Sequence, residues 1–228
     1  MIQKLILSIV AIFIATSIFS QNCETCIPNK IGTELTYKTT NKKGKTESFY
    51  SDKLLSVKKE DGATKYAVLR KNFDKKKELI TANTIYYYCK GNSFYIDTSS
   101  YISSEEMAKY DESIVELDTE NIGYPAGMKP GMTLEDGYIN ADIAAGFIPI
   151  VFRTDVINRK VVSSEKITTD AGTFQTLKIT ENLKLKIAFA KANLSSITWV
   201  KKEVGTIRGE TYDKAGKLMS RVELISIK

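Results

Sequence analysis

Residues 161–180 read VVSSEKITTDAGTFQTLKIT. Val161 to Thr168 and Thr173 to Thr180 are two runs enriched in β-branched residues, and Asp170-Ala171-Gly172 between them is a turn signal, so the stretch reads as an antiparallel hairpin. Gly172 supplies the positive φ that a tight turn needs, and Phe174 anchors the returning strand in a core.

The same grammar extends in both directions. Toward the C-terminus, strands are expected at Lys184 to Ala190, Ile197 to Lys202, Val204 to Tyr212 and Leu218 to Ile227, with a bulge or bend at Gly205 and a turn at Asp213 to Gly216. Upstream lies a strand from Pro149 to Ile157. Toward the N-terminus, Thr33 to Thr39, Ser48 to Val57, Lys65 to Phe73, Glu78 to Tyr88 and Phe94 to Asp97 are separated by Asn41 to Gly44, Asp61-Gly62, Lys75 to Lys77 and Gly91-Asn92. Turn signals about every ten residues are the mark of an all-β sheet or barrel. The Gly- and Pro-rich stretch 123–146 reads as irregular. One helix is expected at 103–117, where Ser103 and Glu106 form a capping box and Met107, Tyr110, Ile114 and Val115, with Leu117 nearby, recur at helical spacing.

Residues 1–20 read as a signal peptide, because Lys4 is their only charge and the apolar run from Leu5 is too short to span a bilayer. Cleavage is expected after Ser20, leaving 21–228 as one β domain, exported to the periplasm of a Gram-negative bacterium or to the medium. The residues before Cys23 do not fit a lipid-attachment motif, so lipidation is not expected. An exported chain sits in a compartment where disulfides form. Of its three cysteines, Cys26 and Cys89 are the preferred bridge, with Cys23 left over; a local Cys23–Cys26 loop is the competing pattern.

The chain has no histidine, which removes Ser-His-Asp and Cys-His catalysis and any histidine-based zinc site. No phosphate-cradling glycine loop is present, so neither a metal nor a cofactor is expected. Paired acids could still run glycoside hydrolysis, and Asp97, Asp142, Asp155 and Glu165 are the candidates, yet strand-end acids also serve solubility. Removing the leader lowers the net charge from +6 to +5. The charge is mostly scattered lysine with no arginine-rich stripe, which argues against nucleic acid. A non-catalytic protein is the reading that remains. Aromatics such as Tyr86-Tyr87-Tyr88, Phe152 and Trp199 either pack between sheet and helix or line a cavity.

Val162 to Ile167, then Thr169-Asp170-Ala171-Gly172-Thr173-Phe174, then Thr198-Trp199, Glu203-Val204-Gly205 and Gly216-Lys217 to Leu224 resemble the TapB-like group of exported bacterial domains of unknown function. Cys26, Gly32, Cys89-Lys90-Gly91 and Tyr95-Ile96-Asp97 fit the same pattern, so the likeness spans most of the chain past the leader. The resemblance implies a fold like the lipoprotein-carrier half-barrel: a curved antiparallel sheet, here of about ten to twelve strands, wrapped around the helix. On that fold the expected ligand is a lipid or another apolar small molecule, with Tyr87, Met107, Ile114, Phe152, Phe174 and Trp199 as cavity-lining candidates. The alternative is an envelope protein with a filled core that meets a protein partner through a sheet edge or an apolar patch. No membrane-spanning segment is expected after the leader.

Overall fold

The computed structural model describes residues 23–97, 115–120, 122–145, 148–187 and 189–228. In chain order the strands are β1 (Glu34–Asn41), β2 (Thr46–Glu60), β3 (Ala63–Asp74), β4 (Leu79–Lys90), β5 (Ser93–Ile96), β6 (Val115–Glu120) and β7 (Gly123–Pro125). They continue as β8 (Gly137–Ala145), β9 (Ile148–Thr169), β10 (Gly172–Ile187), β11 (Ala190–Lys201), β12 (Gly205–Tyr212) and β13 (Leu218–Ile227). All thirteen form one sheet in the order β6-β8-β9-β10-β11-β12-β13-β1-β2-β3-β4-β5-β7, with antiparallel neighbours throughout.

The sheet curls into a half-barrel, as its contacts require. Ile167 of β9 packs in one buried cluster with Leu35 and Tyr37 of β1, Trp199, Ile207 and Leu224. Five strand-to-strand steps separate β9 from β1, about 24 Å along a flat sheet. The strands between them contribute Trp199, Ile207 and Leu224 to the cluster, and β9 also meets β12 and β13 directly, three and four steps away, which only curvature allows. Two further clusters fill the rest of the core, one around Ile85, Leu54, Val68 and Phe94, the other around Val161, Ile179, Leu134 and Val200. Half-buried Tyr124 packs against both.

Three expectations are corrected. Pro149–Ile157 and Val161–Thr168 are one 22-residue strand, β9, and the two strands expected across Thr173–Ala190 merge into β10. The chain passes the polar residues that looked like breaks through register shifts between β9 and β10 rather than turns, with Asn158 at φ 56°. Within the stretch read as irregular, Gly123–Pro125 and Gly137–Ala145 are the strands β7 and β8. For the helix at 103–117, residues 103–114 lie outside the described residues, while Val115–Leu117 belong to β6. There Val115, Leu117 and Thr119 alternate with Glu116, Asp118 and Glu120, and that period of two outweighs the helical spacing read from Tyr110 onward. No helix occurs among the described residues.

Antiparallel pairing sorts the turns onto two rims. The upper rim carries the β1–β2, β3–β4, β10–β11 and β12–β13 turns, and the lower rim carries β2–β3, β4–β5, β9–β10 and β11–β12. Three upper turns share one design. Asn41, Asp74 and Asp213 each accept two backbone N–H bonds on one side-chain oxygen, from Lys43 and Lys45, Lys76 and Glu78, and Ala215 and Lys217. The left-handed position is Gly44 in the first and Gly216 in the third, but Lys77 in the second, at φ 68°.

Candidate functional site

The segment before β1 crosses the lower end of the half-barrel. Cys23 is disulfide-bonded to Cys89 of β4, Glu203 N–H in the β11–β12 turn donates to Thr25 O, and Gly32 N–H donates to Leu54 O of β2. This corrects the expected Cys26–Cys89 bridge. The Cα atoms of Cys23 and Cys89 are 5.8 Å apart, within bonding reach, and by Cys26 the segment has moved on toward β12. A Cβ on Gly205 would stand 3.0 Å from the Cys26 carbonyl oxygen, and Gly205 itself sits at φ 124°. Cys26 remains a free thiol packed against the core; burial, helped by the Glu24 carboxylate, pushes it up to about 12.

Above this plug lies a cavity of about 210 Å³ on the concave face. Ile27 and Val204 close its lower part, and Leu54, Val68, Phe94 and Val200 form apolar walls. Toward the upper rim the lining turns polar. Arg70 grips Asp52 with two parallel hydrogen bonds, Nε to Oδ1 at 2.7 Å and Nη2 to Oδ2 at 2.6 Å. The Arg70 guanidinium also lies 4.7 Å from the centre of the Tyr50 ring, which stacks on Tyr37 at 4.5 Å. Burial first, then the Tyr50 hydroxyl and the Asp52 charge, hold Tyr37 well above the usual phenol range, so it stays a neutral hydrogen-bonding group. The cavity is thus apolar at its plugged end and dipolar toward the other.

A strap closes the half-barrel from the other side. After β7 the chain leaves one edge of the sheet and reaches β9 near the opposite edge, where Gly131 N–H donates to Val161 O and Leu134 N–H donates to Arg159 O. Arg159 is wholly buried. Its Nη1 donates to the carbonyls of Gly123 (3.0 Å) and Glu135 (2.7 Å), its Nε to Glu181 of β10 (3.3 Å), and its guanidinium sits 5.3 Å from the centre of the Tyr124 ring. Tyr124 in turn lines the cavity. Burial raises the Glu181 carboxyl despite the opposing charge of Arg159.

Of the residues expected to line a cavity, Tyr87 does. Trp199 is buried in the cluster with Ile167 and Leu224 and half-buried Phe174 packs against that cluster, neither of them lining the cavity. Phe152 pairs with Ala141 and Ile187 on the far part of β9, well away from it. Met107 and Ile114 lie outside the described residues. The acids do not converge. Asp155 and Glu165 stand ten residues apart along β9, Asp155 paired with Arg153 and Glu165 with Lys178, and neither these nor Asp97 lines the cavity. Asp142 pairs in register with Val151.

Sequence reasoning missed Arg70, Asp52 and Arg159. A signal was available. Of 33 basic residues only five are arginine, and each of the five is in a salt bridge. Where lysine is the default surface charge, an arginine inside a strand marks a position that needs its planar fork.

Fold and cavity together define a single-sheet half-barrel, plugged at one end and strapped across its concave face. The chain belongs to the DUF3108-like family, whose model matches residues 30–224. It is this family, not the TapB-like group, that the match names. No curated protein matches the chain. Two solved structures share the fold: a candidate exported protein with a YmcC-like fold from Bacteroides fragilis, at 17% identity, and a candidate lipoprotein from Parabacteroides distasonis, at 21%. Each gives a TM-score of 0.72; the matches cover 90% and 91% of this chain and 100% of the other. Among the described residues no helix is long and apolar enough to cross a membrane.

Proposed function

We propose that this protein is a non-catalytic, exported carrier that holds one chain of an apolar or amphiphilic small molecule in the half-barrel, tail toward the N-terminal plug and polar end toward Arg70 and Asp52. The observation that carries this reading is the gradient within one cavity, from Ile27, Leu54 and Val68 to the Arg70–Asp52 pair beside Tyr50. The volume of about 210 Å³ equals the liquid share of roughly seven waters, and a methylene takes similar space. Burying about seven methylenes at ~0.8 kcal/mol each gives about 5–6 kcal/mol, a Kd on the order of 0.1 mM before any polar contact. The cavity is smaller than the roughly 300–1,000 Å³ of drug-sized pockets, which favours a single narrow chain over a ring system. The non-catalytic part is supported by the dispersed acids and the absence of histidine.

Two measurements test it. Intact masses of protein from an exporting host, native and then denatured, should differ by a small molecule lost on unfolding. Titration with dodecanoate and dodecanol should saturate at one equivalent, and Val68→Phe, which fills the cavity, should weaken both at least tenfold without lowering the melting temperature. Wild-type protein that binds neither probe, or a Val68→Phe variant that binds as well as wild type, would sink the carrier and leave the envelope-interaction protein as the better account.

A further inference from the structure

Lysines that look scattered along the sequence are gathered by the topology. Four of the upper-rim turns contain NKKGK (41–45), DKKKE (74–78), KLKIAFAK (184–191) and DKAGK (213–217), eleven lysines in all. All eleven are exposed, and none is in a salt bridge with another described residue. The lower rim differs: there Lys202 pairs with Glu24 and Lys65 with Glu60. Two of the acids among the upper turns, Asp74 and Asp213, are engaged by backbone N–H groups. The acids of β6 and Asp142 of β8 belong to the outer edge of the sheet, two to three strand steps from the β10–β11 hairpin.

The same rim carries exposed apolar side chains. Leu79 and Ile80 come just after the triple lysine and Glu78, at 57% and 62% exposure, exposed Met219 lies at the start of β13 beside Leu218, and Ile187 and Phe189 tip the β10–β11 hairpin. Phe189 is 99% exposed and touches almost nothing. Its hairpin also projects. Ser195 is the last β11 residue paired with β12, while pairing with β10 continues to Ala190, so the tip stands about 17 Å beyond β12 at ~3.3 Å per residue, whereas on its other side β9 pairs with β10 to Ile187 and runs on to Ile148. An exposed phenylalanine on a rim whose turns carry exposed lysines, all at one end of the molecule, matches the two requirements of peripheral membrane attachment: apolar side chains at the acyl boundary and cations at anionic headgroups.

We propose that the upper rim docks on an anionic lipid surface, with Phe189 and Ile187 inserted and the turn lysines against the headgroups. The proposal is independent of the cavity: a protein with a filled core could dock this way, and a carrier could lack such a rim. The test is co-sedimentation of the purified protein with phosphatidylcholine vesicles, with and without phosphatidylglycerol. Binding should require phosphatidylglycerol and weaken with salt. Phe189→Ser should lower the partition coefficient about tenfold, and Lys75→Gln with Lys76→Gln and Lys77→Gln about a hundredfold at low salt. Lys58→Gln with Lys59→Gln, toward the lower rim, should change it little. Phe189→Trp should shift its emission to the blue only with the anionic vesicles. No binding to phosphatidylglycerol vesicles, or equal loss from the lower-rim variant, would overturn the proposal. So would heparin binding, without vesicle binding, that Phe189→Ser leaves intact, since the rim would then serve a soluble polyanion.

Discussion

Arg159→Met removes the buried side chain whose hydrogen bonds tie the strap to the sheet. Three of its bonds disappear together: those to Glu181 and to the carbonyls of Gly123 and Glu135. Removing one partner of a buried ion pair costs about 3–5 kcal/mol, because the other charge stays buried, and each carbonyl loses a charge-assisted bond worth about 1.5–3 kcal/mol. The bonds share one guanidinium, so these figures do not add; a loss of about 4–6 kcal/mol is expected. Urea unfolding followed by the fluorescence of Trp199, the sole tryptophan and a buried one, measures it. Arg159→Met with Glu181→Leu should recover about 2 kcal/mol, since no charge is then stranded, while the two carbonyls remain unsatisfied.

The same variant has a pH signature. Burial raises Glu181 in the folded protein even with Arg159 beside it, and without the guanidinium it rises further. A folded-state value above the unfolded one means that the folded protein holds the proton more tightly, so this group's contribution is fully present at low pH and is lost as pH rises through the folded value. The deficit of Arg159→Met should therefore be larger at about pH 8 than at about pH 5, and Glu181→Leu should flatten the difference. A loss below about 1 kcal/mol, or one that does not change with pH, would refute the view that this arginine is held by a buried counter-charge.

Other substitutions probe the plug, the turns and the cavity. Breaking the Cys23–Cys89 bond by Cys23→Ser frees a loop of 66 residues and should cost about 4 kcal/mol, read as a shift in the urea midpoint. Native Cys26 should resist iodoacetamide at mildly alkaline pH and react once unfolded, since burial keeps the thiol protonated up to about 12; intact mass reports the label. Gly205→Ala drives a Cβ to 3.0 Å from the Cys26 carbonyl at a φ that alanine avoids and should cost about 1–3 kcal/mol in thermal unfolding. Lys77→Gly relieves a left-handed lysine in a turn whose counterparts are Gly44 and Gly216 and should add up to about 1 kcal/mol. Asp52→Asn removes the carboxylate that Arg70 grips in the cavity wall and should raise affinity for dodecanoate relative to dodecanol roughly tenfold, as one negative charge facing the bound carboxylate is gone.

Class, hairpins and turn glycines were legible because each rests on local chemistry. Gly172 at φ 132° and Gly205 at φ 124° sit where their neighbours in sequence said a turn and a bend should be. Lengths and partners were not legible, because they are set across the sheet. The stretch Ile157-Asn158-Arg159-Lys160 reads as a break until Arg159 is seen satisfying carbonyls of a strap that leaves the sheet more than thirty residues earlier. The disulfide turned on which of two cysteines, three residues apart, the crossing segment brings to β4. The cavity was foreseen in kind and mostly misassigned in detail. Trp199 and Phe174 are large and aromatic, but their side chains belong to the core cluster that runs from Ile167 to Leu35, whereas the polar wall comes from Asp52 and Arg70, paired in register across β2 and β3.

The distribution of charge along the barrel axis links these parts. Arginine appears only in salt bridges, where a rigid fork fixes one geometry, and lysine crowds the upper rim, where no described acid pairs with it. Charge left unpaired at one end of a molecule repels itself and weakens the fold, so a rim of eleven lysines is not explained by stability. Solubility does not explain it either, since Phe189 and Ile80 stand exposed among those lysines. The lower end shows the opposite economy: it is closed by a covalently tethered segment, and its lysines are partly neutralised. The polar wall of the cavity lies on the side of the exposed rim and the apolar floor on the side of the plug. A chain drawn from a membrane under that rim would therefore enter tail first, and its polar end would come to rest beside Arg70.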